Sequence, residues 1–195
     1  MRIVGILLAA GFSTRFGTNK LLAPLPGGAE RAGTPVAVAA AVNLVHVLPE
    51  SWAVVRPRAQ KVAKLLREAG CRTVICRNAA QGMGASLAAG VRAAGDADGW
   101  VVALADMPFI RAQTVERIAM ALREGAPIAA PACGGVRGHP VGFARRYRDQ
   151  LLASSGDEGA RQILKTHAES ITLYETLDRG ILRDIDVPGD LAAGA

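Results

Sequence analysis

The chain is poor in aromatic residues and cysteines and has no long apolar run, and each shortage excludes something. Phe, Trp and Tyr make up 4% of 195 residues, although half of all residues are hydrophobic. The core must therefore be built from Ala, Val, Leu and Ile, as in a buried parallel sheet covered by helices. Cys71, Cys76 and Cys133 are odd in number and have no Cys-x-x-Cys spacing. That argues against a zinc site or a disulfide framework and for reduced thiols. No apolar stretch approaches the roughly eighteen residues of a bilayer span. The apolar segment 3–10 is too short for a signal peptide and lacks a charged leader and a small-residue cleavage site. The expectation is a soluble, cytoplasmic protein with no membrane partner.

Two familiar phosphate-binding patterns are also missing. Walker A needs four residues between its glycines and a Lys directly after the second. Here five residues separate Gly11 from Gly17, and Thr18-Asn19 precede Lys20. Gly82-Met83-Gly84 begins a dinucleotide fingerprint, but the third glycine position holds Leu87. The net charge of +6, from 23 Lys+Arg against 17 Asp+Glu, is scattered and not interleaved with aromatics. This argues against nucleic acid and for small polyanionic ligands.

What is present is an alternation of apolar runs and helix-period stretches. Strands are expected at 3–9, 52–56, 72–77, 99–105, 127–131 and 170–175. Helices are expected at 36–47, 58–69, 84–94, 111–124, 144–153 and 158–167, with a short turn after Pro188. The Pro/Gly-rich stretch 24–34 reads as a surface loop. The pattern predicts one α/β domain over 1–195, doubly wound, with a mostly parallel sheet and helices on both faces. Ligands of such sheets bind where the strands end, so 10–20, 78–86, 106–108 and 131–140 should meet.

Those four segments hold the unusual chemistry. After the first strand, Leu8-Ala9-Ala10-Gly11 leads into Ser13, Thr14, Arg15, Gly17 and Lys20. A glycine turn offers converging N–H groups, Ser13 and Thr14 add hydroxyls, Arg15 a bidentate fork and Lys20 a mobile charge. The segment reads as a phosphate grip. Asp106 ends the apolar run Trp100–Ala105, where a carboxylate needs a positive partner. A Mg²⁺ ion carried in on a nucleoside triphosphate would supply one. Asp106 lies too far upstream to cap the helix near Arg111; Thr114 or the preceding turn suits that role better. Asp184 and Asp186 are two apart, so an extended segment presents both on one face for a second metal contact. Asp190 belongs to the first turn of a final helix. Glycines around Arg137 and His139 free both to face a bound group. His46 and His167 read as structural. Asp157 reads as an N-cap with Arg161 one turn on.

The spacing Leu-Ala-Ala-Gly-x-Ser-x-Arg-x-Gly-x-x-Lys resembles the signature of sugar-nucleotide-type nucleotidyltransferases, with a nucleotide-diphospho-sugar transferase-like, Rossmann-like fold. It is most similar to the molybdenum cofactor cytidylyltransferase and guanylyltransferase group, with Phe16 where Met is common. Further segments carry the resemblance: Asp106-Met107-Pro108, Asn78…Gly82-Met83-x-x-Ser86-Leu87, Arg137-Gly138-His139-Pro140 and Gly156-Asp157-x-Gly159-Ala160-Arg161. Asp184-Ile185-Asp186 completes the set, with Val187 and Gly189 departing from the family's run. The resemblance implies that Leu8, Ala9, Ala10, Gly11, Ser13, Arg15, Lys20, Asn78, Gly82, Met83 and Ser86 bind the nucleotide. Arg15, Lys20 and Asp106 would be catalytic, and Asp106 with Asp186 or Asp184 would hold Mg²⁺. Arg137, Gly138, His139, Pro140 and Asp157 would face the acceptor. The guanylyltransferase branch usually has Gly-Pro-Leu-Ala-Gly at 78–87 and Gly at position 10. The residues here point to CTP, with molybdopterin as the phosphorylated acceptor and a molybdoenzyme as downstream partner. The alternatives are GTP or UTP with another phosphorylated acceptor, or a non-catalytic nucleotide- or cofactor-binding chaperone.

Overall fold

The computed structural model describes residues 1–26 and 32–192. The middle of the expected surface loop 24–34 therefore lies outside the described residues. Its flanks form a small antiparallel pair, with Leu25 N donating to Thr34 O at 2.9 Å and Gly33 N to Leu25 O at 3.0 Å.

The strands are β1 (Ile3–Ala9), β2 (Ser51–Val55), β3 (Arg72–Ile75), β4 (Gly99–Leu104), β5 (Ile128–Cys133), β6 (Val136–Arg137), β7 (Val141–Ala144) and β8 (Ile171–Glu175). Between them lie α1 (Val36–Val47), α2 (Gln60–Glu68), α3 (Met83–Ala94), α4 (Ala112–Arg123), α5 (Arg148–Leu152), α6 (Arg161–Thr166) and α7 (Gly189–Ala192). The sheet order is β3-β2-β1-β4-β7-β5-β6, with β8 also paired to β5. β1 runs parallel to both β2 and β4, so the winding direction reverses between β1 and β4. That reversal opens a crevice at the ends of these two strands.

Side-chain alternation explains why helices cover both faces. From β1, Ile3, Leu7 and Ala9 join one core with Leu44 of α1, Leu66 of α2 and Leu122 of α4. Val4 and Ile6 join the other, with Leu87 and Val91 of α3, Leu151 of α5 and Leu164 of α6. β1 and β4, buried on both sides, read as apolar runs of seven and six residues, which makes them legible in the sequence.

The far end of the sheet differs from expectation. β7 runs antiparallel to β4 and β5, and the expected loop 131–140 is a hairpin. Gly134 and Gly135 have φ of 59° and 77°, the two successive positive values that a tight hairpin turn requires. β5 pairs with β7 at Ala129–Gly142 but with β6 at Ala132–Arg137. The return strand thus carries two extra residues, a bulge at Gly138–Pro140 that re-aims the chain beside the crevice. The expected helix 144–153 shrinks to a 3-10 turn at Arg145–Tyr147 followed by α5, because Ala144 still belongs to the sheet.

Candidate active site

The first loop crosses the end of β1 with left-handed backbone at Ser13 (φ 55°) and Gly17 (φ 80°), not at Gly11. Gly11 serves differently from expectation: nothing lies within 4 Å of where its Cβ would be, so its backbone faces open space. Ser13 organises the loop. Its carbonyl accepts from Phe16 N at 3.1 Å and its Oγ from Lys20 N at 3.3 Å. Asn19 Oδ1 accepts from Leu21 N at 3.2 Å and starts the 3-10 turn Lys20–Leu22. The Lys20 stem is thereby folded into the protein, its ammonium set against Asp106 and Asp186, and neither Lys20 nor Ser13 lines the cavities described below.

That ammonium joins the two segments on which the sequence reading depends. Lys20 Nζ lies 2.8 Å from Asp106 Oδ2 and 2.9 Å from Asp186 Oδ1. Arg15 Nη2 lies 2.8 Å from the other Asp186 oxygen. Burial pulls the Lys20 pKa down, but hydrogen bonds and charge from Asp106 and then Asp186 outweigh it, and the net shift is upward. Lys20 is therefore charged at neutral pH.

Asp186 reaches this position through its own segment. Ile185 N donates to Asp106 O at 2.9 Å, and the Ile185 side chain is buried with Phe16, Leu25 and Val36. Asp190 accepts from Asp186 N at 2.7 Å and Val187 N at 2.8 Å, bonds that hold its carboxyl below the usual range. Asp190 is in the first turn of α7, as its position implied, and it also locks the strap that carries Asp186.

Two cavities meet at Asp106. The first, about 370 Å³, is lined by Ala10, Gly11, Phe12, Gly82, Ser86 and Asp157. The second, about 540 Å³, is lined by Arg15, Arg137, His139, Arg161, Asp184 and Asp186. Leu8, Met83, Leu104 and Asp106 border both. Gly82 and Gly84 bring the wall of the first cavity close. A Cβ on Gly82, whose φ is 105°, would overlap the Gly156 carbonyl, and Gly84 N donates to Gly156 O at 2.8 Å. Ser86 is buried, not on a helix surface.

Some expected residues stand elsewhere. Ala9 is buried in the core and Asn78 is exposed, and neither lines the cavities. Pro140 lines a narrow void with Ala40 and Asn43, while Gly138 does border the second cavity. Asp157 does not cap α6, whose N-cap is Ala160, and it faces the first cavity rather than the second. Thr114 does not cap α4 from within. Asp178, 64 residues on, accepts from Arg111 N at 2.8 Å and Thr114 Oγ1 at 2.6 Å. This cap comes from tertiary folding, and no local signal announced it.

His139 lines the second cavity, and its Nδ1 is buried without a partner among the described residues. Burial, reinforced by Arg137 and Arg161 and opposed by Asp184, pushes its pKa down to about 4. The residues that sequence reasoning passed over are Phe12 and Glu158. Phe12 is exposed beneath the Arg56 guanidinium, 5.0 Å from the ring centre, which is a signal in itself for so aromatic-poor a chain. Glu158 borders the second cavity inside the segment already quoted. A further cleft of about 840 Å³ between α4 and β8 contains none of the expected site residues.

Among the described residues no group of three or more His, Cys, Asp or Glu side chains could hold a metal. Asp106 and Asp186 nevertheless converge on one cation, Lys20 Nζ. Two carboxylates fit Mg²⁺, which completes its shell with phosphate oxygens and water. No helix among the described residues is long and apolar enough to cross a membrane.

A crevice at the ends of the parallel strands, bordered by the first loop and with a buried lysine held between two carboxylates, marks this as an α/β protein with a ligand site at its topological switch point. The chain matches the MobA-like NTP transferase domain over residues 5–171 and belongs to that family. It is 31% identical to the purine catabolism protein PucB of Bacillus subtilis, covering 95% of this chain and 92% of that one. It is 32% identical to the nicotine blue oxidoreductase of Paenarthrobacter nicotinovorans, over 94% and 92%. A nucleotidyl transferase of Methanothermobacter shares the fold with a TM-score of 0.81 at 24% identity, over 98% and 95% of the two chains.

Proposed function

We propose that the protein transfers CMP from CTP to the phosphate of molybdopterin and releases pyrophosphate, with Mg²⁺, in the cytoplasm, for delivery to a molybdoenzyme. One observation carries this reading: the two cavities share Asp106 as a border, with the Lys20 ammonium against it. A nucleotide in the first and an acceptor in the second would bring their phosphates together there. The Gly82-Met83 and Ser86 wall supports a cytosine nucleotide, and the Arg137–Arg161 wall supports an anionic acceptor.

In this reading an acceptor phosphate oxygen attacks the α-phosphorus of CTP, and the bond to the α–β bridging oxygen breaks. The nucleophile is already ionised, so the protein contributes alignment and charge neutralisation. Amides of Gly11–Thr14 and the Arg15 guanidinium hold the β and γ phosphates. Lys20 turns toward the α-phosphate as charge builds there. Asp106 and Asp186, with Asp184 nearby, would hold Mg²⁺, which supplies phosphate charge neutralisation. Gly138, His139 and Arg137 face the acceptor.

The test is pyrophosphate release across CTP, GTP, UTP and ATP, with and without molybdopterin. Release is expected with CTP and molybdopterin together. Lys20→Ala and Asp106→Asn should each lower kcat/KM by about 10² or more, with circular dichroism unchanged. Near-wild-type rates in either variant would refute these roles, and release with GTP alone among the four would move the protein to the other branch.

A further inference from the structure

We propose that the Lys20 ammonium fills the cation position of this site when no ligand is bound, so that the site admits a divalent cation already bound to a triphosphate rather than the free ion. This rests on reading the crevice as a nucleotide site. The geometry is direct: one ammonium within 3 Å of carboxylates from residues 106 and 186, at 2.8 and 2.9 Å. The second Asp186 oxygen is taken by Arg15 at 2.8 Å. Two carboxylates are thus matched by two cations, and the cluster has no net charge left to attract a free divalent ion. An entering ion would meet the ammonium at close range, with only one of the four side chains mostly solvent-exposed to screen it (Arg15, 73%).

A triphosphate changes the balance. Its oxygens offer new partners to Arg15 and Lys20, and the same event releases both carboxylates to the ion it carries. Lys20 can make this move because its backbone is pinned by Ser13 while its charge rides on a flexible four-carbon stem. The arrangement also separates the two candidate acids of the strap. Asp186 is the one paired with the cations, whereas Asp184 borders the second cavity near His139. Asp106 and Asp186 form the cation position.

Mn²⁺ binding to the full chain, read by electron paramagnetic resonance of the free ion, tests this without turnover. Wild type should bind Mn²⁺ alone weakly and, beyond the Mn²⁺ that the same CTP sequesters without protein, at least tenfold more tightly when CTP is present. Lys20→Met should bind Mn²⁺ alone at least tenfold more tightly than wild type. Adding Asp186→Asn should cancel that increase, and adding Asp184→Asn should leave it. Should Lys20→Met fail to fold, Arg15→Gln takes its place, with an increase of about threefold expected. Equal Mn²⁺ affinity in wild type and the cation-deleted variant overturns the inference, as does an increase that survives Asp186→Asn. A wild type indifferent to CTP, beside a Lys20→Met chain that binds Mn²⁺ tightly, would leave the filled cation position standing and sink the nucleotide reading instead.

Discussion

At the scale of single residues, the site is built from groups whose surroundings set their charge. Lys20 is 8% exposed, yet its two carboxylate partners keep it protonated. The contact of the mostly exposed Arg15 with Asp186 contributes little to stability, because solvent screens such pairs. His139 is the opposite case: burial, reinforced by Arg137 and Arg161 and only partly offset by Asp184, keeps the ring neutral with a pKa of about 4. Its ordinary value in an unfolded chain is about 6.5. Between these values the unfolded state binds more protons, so stability falls as pH drops from 6.5 toward 4, by up to about 3 kcal/mol. Urea midpoints at pH 7.5 and 4.5 should differ more in wild type than in His139→Leu. An identical pH dependence in both would mean the imidazole is freely protonated in the fold. Replacing the partnerless Nδ1 should also leave stability at pH 7.5 unchanged or raised.

At the scale of elements, the loop before α6 and the N-terminus of α3 are fitted to each other through glycine. Gly82→Ala would require a left-handed alanine and would push its methyl into the Gly156 carbonyl. The expected result is a displaced 155–157 loop, nucleotide affinity at least tenfold weaker by equilibrium dialysis, and a stability loss of about 1–3 kcal/mol. Gly95→Ala, at φ 68° with open space around it, isolates the backbone cost and should leave nucleotide affinity untouched. The β5–β6–β7 hairpin shows what sequence patterning missed. Val141-Gly142-Phe143 is short, interrupted by glycine and preceded by proline, so it lacks the run that made β1 and β4 visible. The Gly134-Gly135 pair, with its two successive positive φ values, is the one local sign of the turn.

For the whole molecule, the crevice is where three remote stretches meet: the first loop, the end of β4 and the strap 184–190. Ligand binding there should stabilise the fold globally. With Mg²⁺ and CTP together at about one hundred times Kd, linkage adds about 2.7 kcal/mol. For a chain of this size that raises Tm by roughly 5–10 °C. Mg²⁺ alone should raise it far less, because Lys20 already neutralises the carboxylates. Equal shifts from Mg²⁺ alone and from the pair would contradict that balance.

Local order in the chain determined the class of fold, the phosphate-gripping loop and the acids at strand ends, because buried strands, helix periods and glycine turns are written in consecutive residues. The cation shared by Asp106 and Asp186, the choice of Asp186 over Asp184 as its partner, and the Asp178 cap on α4 were decided only by tertiary folding. Each joins residues 64 to 166 positions apart. No spacing rule spans such distances; only the sheet order and the docking of Ile185 bring those charges together.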